Sequence, residues 1–185
     1  MSMDYDAMRL AWTDLETTGL TTNGGGVLEV ACIVTDRTMK EFGRFHAVIN
    51  PGEAVLNNMN AFVTEMHTKN GLLQYVRSIG VPEGVADSSF SEFLKRHHNG
   101  NPKNMFLAGN SLAGVDIPFM REFLPLSDSE MHYRYLDITS LRIAGGVWFG
   151  KDPEYMKVGS HRAMDDINEC IEEFRALGHI LFKED

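Results

Sequence analysis

Apolar and polar positions alternate over residues 8–14, with Leu10 and Trp12 on one side, which predicts a half-buried first strand. Residues 27–36 are rich in Val and Ile and predict a second strand. Residues 41–50, closed by Pro51-Gly52, predict a third. Thr18-Gly19 and Asn23-Gly24-Gly25-Gly26 punctuate the first connection, and the second is short, so the three strands should form an antiparallel meander. From residue 53 to about residue 100 the spacing turns helical: Leu72, Leu73, Val76 and Ile79 share one face, and Phe90, Phe93 and Leu94 another. Residues 105–109 predict a buried strand, 118–124 a helix and 133–138 a strand. Residues 145–159 read as a loop carrying Trp148, Phe149 and Pro153. Apolar residues at 163, 167, 170, 171, 174 and 177 predict a closing amphipathic helix over 163–177. Three strands followed by strand–helix alternation imply an α/β fold. It consists of a mixed five-stranded sheet, a meander plus two further strands, flanked by helices in one domain over residues 1–185.

Composition narrows the class. Of 185 residues, 43% are hydrophobic and 23% charged, as in ordinary globular chains. Cys32 and Cys170 belong to no CxxC pair, which argues against a zinc site or a disulfide framework and fits a reducing, cytoplasmic location. No apolar run could cross a bilayer, the first residues lack the apolar stretch of a signal peptide, and the last show no anchor motif, so no membrane role is expected. A net charge of −9 argues against an extended nucleic-acid groove, because phosphate contacts demand a basic face. It leaves room for a short substrate in a small pocket, with metal ions carrying the positive charge.

Three segments carry candidate chemistry. Asp14-Leu15-Glu16 ends the first strand, and side chains two apart point to one face, so the two carboxylates repel unless a cation lies between them. Taken alone, the pattern is better explained by an ordinary polar strand end facing water. Gly159-Ser160-His161-Arg162-Ala163-Met164-Asp165-Asp166 opens the last helix. His161 and Asp166 converge only if His161 sits on the loop before it, with Asp165 turned toward solvent. A capping histidine is the competing reading. Asp116-Ile117-Pro118-Phe119 follows Ala108-Gly109-Asn110-Ser111, and Asp116 is there either a functional acid or a helix cap.

The order of these segments, a DxE, an Asp opening a helix after Gly-Asn-Ser, and an HxxxxD, resembles the DEDDh exonucleases, whose fold is RNase H-like. Within them the chain is similar to the oligoribonucleases. The likeness runs over residues 12–20, 108–111 and 161–166, and most specifically over His132-Tyr133-Arg134-Tyr135-Leu136-Asp137. The resemblance implies 3′→5′ hydrolysis of very short RNA to nucleoside 5′-monophosphates with two divalent cations, Mg²⁺ or Mn²⁺, about 3.5–4 Å apart. Asp14 would bridge them, with Glu16, Asp116 and Asp166 completing the set. His161 would be the general base, a role that suits an imidazole near neutral pH.

The resemblance also implies that Leu20 and Phe62 pack on terminal bases. Ser111, Arg134, Thr139 and His67 would bind a 5′ phosphate, and Tyr133 would reach in from the second subunit of a homodimer. The sequence departs from the pattern in four places. One extra residue separates Ser111 from Asp116, Phe62 stands for a tryptophan, Thr17 for a methionine, and Thr139 for a serine. These departures bear on substrate length more than on chemistry. The alternative reading is an exonuclease for longer single-stranded DNA or RNA. A catalytically silent scaffold is disfavoured, since uncompensated carboxylates have no structural purpose.

Overall fold

In the computed structural model of the chain, the residues described are 5–150 and 159–181, without the side chains of 179 and 180. Five strands form one sheet: β1 (Arg9–Thr17), β2 (Val27–Thr35), β3 (Glu41–Val48), β4 (Met105–Gly109) and β5 (His132–Asp137). Their order is β3-β2-β1-β4-β5. β1, β2 and β3 pair antiparallel as the meander, and β4 and β5 add parallel strands on the other side of β1. The expected mixed sheet is thus the one observed, with β1 running on to Thr17, past the predicted end at Asp14.

The predicted helical stretch contains α1 (Glu53–Leu56), α2 (Ala61–Lys69), α3 (Leu72–Ile79) and α4 (Glu83–His97). Further helices are α5 (Asp116–Phe123), α6 (Pro125–Ser129), α7 (Ile138–Phe149) and α8 (Ala163–Leu181). One expectation fails. Residues 145–149 are not loop but the last turns of α7, which Asp137 starts by accepting from Ser140 N and Gly150 ends at a φ of +62°. The two glycines at 145 and 146 mimic a loop in sequence, yet glycine costs a helix only about 1 kcal/mol, which this helix absorbs. The part of that predicted loop at 151–158 lies outside the described residues.

The strand period sorts residues between two cores. On one face Ala11, Leu15, Val30, Cys32 and Leu107 pack with Phe90, Phe93 and Phe119 from α4 and α5. On the other, Leu10, Trp12, Ala31, Ile33 and Ala108 pack with Ala163, Ile167, Cys170 and Ile171 of α8. Asp14 and Glu16 share the parity of Leu10 and Trp12, so they point toward the face that α8 covers. Among the described residues no helix is long and apolar enough to cross a membrane. Cys32 and Cys170 are buried and not disulfide-bonded.

Candidate active site

The acids meet where β1 ends. Asp14 and Glu16 come from β1, Asp116 from the first turn of α5 and Asp166 from the first turn of α8. All four line one cleft of about 410 Å³ together with His161, Leu20, Phe62 and Ser111. Glu16, His161 and Asp166 each offer an atom within 4.8 Å of the others, a spacing that a single cation can span. His161 lies on the loop, at a φ of +51°, not in the helix, and this lets it converge on Asp166. Asp165 points outward and accepts from Ser160 Oγ at 3.0 Å. Asp116 does not cap its helix. Its Oδ1 instead accepts from Leu15 N at 3.1 Å, tying α5 to β1.

The electrostatics are those of a site built for positive charge. Burial, then the neighbouring carboxylates of Asp116, Glu16 and Asp166, push Asp14 well above the usual carboxylate range. Burial, then the nearby carboxylates of Asp166 and Glu29, push Glu16 up to about 8, against a smaller opposing pull from Arg162. Asp116 is raised as well, chiefly by burial. Carboxylates left this poorly compensated among oxygen donors fit a hard divalent cation better than a proton.

The residues expected at the substrate end divide. Leu20 and Phe62 stand exposed on the rim, 80% and 74% accessible. The extra residue after Ser111 is taken up in a turn closed by Gly114 N donating to Ser111 O, and Ser111 still reaches the cleft. Thr139 is within hydrogen-bond distance of Ser111 Oγ, at 3.1 Å, and accepts from Ser111 N at 3.2 Å. Tyr133 and Arg134 do not line this cleft. The β4–β5 register steps from Phe106↔His132 to Leu107↔Tyr135, so these two residues bulge out of the edge strand. Their side chains are exposed, with the guanidinium 4.6 Å from the tyrosine ring centre.

His67 is the correction. It has no exposed surface, and its Nε2 meets the Thr17 carbonyl at 3.1 Å, behind Glu16. A phosphate cannot touch it there, so its contact is with the strand that carries Glu16.

Two polar residues outside the sequence reading matter here. Glu29, buried on β2, accepts from Arg162 Nη2 at 2.7 Å and from Ala163 N at 3.0 Å, and its Oε1 lies 2.7 Å from His46 Nε2. It was legible as the single charge in the strand Val27–Thr35. Asn70, at the end of α2, donates to the His161 carbonyl. Lying before a glycine, it looks in sequence like any helix end.

Four acids and a histidine gathered at the end of the central strand of a layered α/β fold form an arrangement that can hold divalent cations for phosphodiester hydrolysis. The exonuclease family profile matches residues 11–174, and the chain belongs to that family. It is 31% identical to the oligoribonuclease of Francisella tularensis subsp. novicida over 172 residues, covering 91% of this chain and 93% of that protein. It is 33% identical to a probable oligoribonuclease of Dictyostelium discoideum over 177 residues, 95% of this chain and 91% of that one. Among solved structures, E. coli exonuclease I bound to an oligonucleotide superposes with a TM-score of 0.73 at 13% identity, covering 94% of this chain. The chain spans only 41% of the length of exonuclease I, and that likeness concerns the fold alone. Enzymes of the exonuclease family generally use divalent metal ions.

Proposed function

We propose that this chain is a 3′→5′ exoribonuclease that hydrolyses dinucleotides and slightly longer RNAs to nucleoside 5′-monophosphates. The observation that carries the reading is the convergence of Asp14, Glu16, Asp116, Asp166 and His161 in a cleft whose rim bears exposed Leu20 and Phe62. At about 410 Å³ the cleft is near the lower end of ligand pockets, roughly 300–1,000 Å³, which suits a few nucleotides better than a long strand. Its relatives named oligoribonuclease support the same substrate class.

Asp14, Glu16, Asp116 and Asp166 would hold two divalent cations, Mg²⁺ or Mn²⁺, which when bound supply positive charge to the attacking and leaving oxygens. His161 takes the proton of the attacking water. Leu20 and Phe62 stack on the bases and set the scissile phosphate over the acids. The Ser111–Thr139 hydroxyl pair receives the 5′ phosphate, and Arg134, which stands outside the cleft, would have to turn in from the β5 bulge to join it.

The reading includes a homodimer. Ile143, Val147, Trp148 and Phe149 expose an apolar face on α7 that a second copy would cover, and Tyr133 on β5 would enter the partner's site. The two buried cysteines, not joined in a disulfide, are in keeping with the reducing cytoplasm.

A length series of RNA and DNA oligomers, with and without a 5′ phosphate, tests the proposal in Mn²⁺ at protein concentrations where sedimentation reports the mass. Fastest turnover is expected on 5′-phosphorylated RNA dinucleotides by a dimer. A preference for strands of roughly twenty nucleotides would assign the chain to the alternative exonuclease class, and a monomer that is fully active would remove the dimer from the mechanism.

A further inference from the structure

The loop that carries His161 is held from two sides by residues that line no part of the cleft. On one side stands Asn70. Its Oδ1 accepts from Leu72 N at 3.0 Å, which fixes which way the amide faces. Nδ2 is thereby aimed at the loop, donating to the His161 carbonyl at 2.5 Å with the Ser160 carbonyl 3.5 Å away. On the other side stands Arg162. Its Nε and Nη2 reach both oxygens of Glu29 at 2.7–3.2 Å, and its guanidinium lies 5.4 Å from the Tyr75 ring centre.

Between the two grips the backbone takes a shape it would not choose. His161 has a φ of +51° and Gly159 a φ of +66°. The left-handed region is unfavourable for a side chain with a Cβ, so His161 would leave it if the flanking bonds were absent. Leaving it rotates the imidazole away from Glu16 and Asp166, the groups it meets within 4.8 Å.

We infer that Asn70 and Arg162 are positioning residues for His161: one holds its carbonyl and the other its neighbour's side chain, and together they keep the loop in the left-handed turn that aims the imidazole at the acids. This rests on the reading of His161 as the general base. Neither residue lines the substrate cleft, so their loss acts on turnover and leaves substrate binding alone.

Asn70→Asp separates this role from a part in folding. It keeps the acceptor that Leu72 N needs and replaces the donor to the loop with a carboxylate oxygen that repels the His161 carbonyl. Arg162→Gln loosens the other grip without touching the α2–α3 turn and serves as the independent variant. Each is measured for kcat and KM on a 5′-phosphorylated RNA dinucleotide in Mn²⁺, alone and combined with His161→Ala, alongside melting temperature and Mn²⁺ affinity. In the His161 protein, a fall in kcat of about tenfold or more is expected, since misplacing a catalytic group by about 1 Å costs up to about a hundredfold. KM should stay within about threefold, and Mn²⁺ affinity serves as the control for Arg162→Gln, which also removes a positive charge acting on Glu16. On the residual turnover of His161→Ala, neither variant should cost anything further.

Equal fold-losses in both backgrounds, or an unchanged kcat for the folded variants, overturns the positioning role. Full turnover by His161→Ala itself would instead overturn the base assignment, and the two failures are told apart by that single variant.

Discussion

Glu16 and Glu29 face each other across the β1–β2 ladder as direct partners in register. Both are buried, at 7% and 1% exposure, and both point to the α8 side of the sheet. Yet Glu16 is pushed up to about 8, while Glu29 is held down near 2. Burial acts on both in the same direction. For Glu29 it is overcome by hydrogen bonds from His46, Arg162 and Ala163 N, whereas Glu16 meets the carboxylates of Asp166 and Asp116. One strand pair therefore holds two identical acids with opposite fates. Glu29 is tied into the fold, and Glu16 carries a charge that a bound cation would compensate.

Glu16→Gln breaks the comparison on the functional side and should have the largest effect. Removing one carboxylate from the proposed two-cation site would take away several kcal/mol of transition-state stabilisation, so turnover should fall by about 10²–10⁴-fold. The metal-free protein should lose no stability, because glutamine resembles the protonated acid that the folded metal-free chain holds at neutral pH. Steady-state kinetics and melting of the chelator-treated protein check both halves. A variant with full activity, or one that unfolds, would dissolve the contrast.

Glu29→Gln is the mirror experiment. It leaves Arg162 without its carboxylate and weakens the cap on α8, so it should lower stability by about 3 kcal/mol, the lower end for breaking a buried ion pair, since Arg162 keeps 25% exposure. Denaturant unfolding measures this. At low temperature the folded fraction should lose much less turnover than Glu16→Gln does. If Glu29→Gln proves as stable as the parent chain, the anchor role is wrong.

What could be read beforehand follows the same division. The sheet and the acids were legible because strand periodicity fixes which side chains share a face, and Asp14 and Glu16 stand two apart on a strand. Asp116 and Asp166 follow from their places at helix starts, once the order of the segments brought out the resemblance. The supporting residues were harder. Glu29 was visible as a charge inside an apolar strand, but its partner Arg162 is 133 positions away in sequence. Nothing local joins Asn70 to His161, 91 positions on. His67 was misplaced for a related reason: motif position gives a residue's neighbourhood but not which way its side chain turns, and here it turns inward onto the Thr17 carbonyl. The loop expected at 145–149 failed because paired glycines weaken a helix without ending it.

The smallest expected effect is also the one that sets the two glutamates directly against each other, through pH. Glu16 has a folded value of about 8, above its ordinary 4.5, so the folded metal-free chain holds a proton that the unfolded chain releases. Its contribution to stability is complete below about pH 4.5 and is lost as pH rises toward 8. Asp14 and Asp116, raised in the same direction, add to this slope. Glu29, lowered to about 2, contributes stability that is present above about pH 4.5 and lost only as pH falls toward 2, so it is constant across the neutral range. Chelator-treated protein should therefore melt a few degrees lower at pH 8 than at pH 5.5. Glu16→Gln should flatten that slope most, and Glu29→Gln should flatten it less, because the Glu29 charge is one of those that raise Glu16 and Asp14. Saturating Mn²⁺ should reverse it, because cations bind the ionised acids and stabilise the fold by mass action. Identical slopes in the parent and in Glu16→Gln would show that Glu16 is not the strained member of the pair.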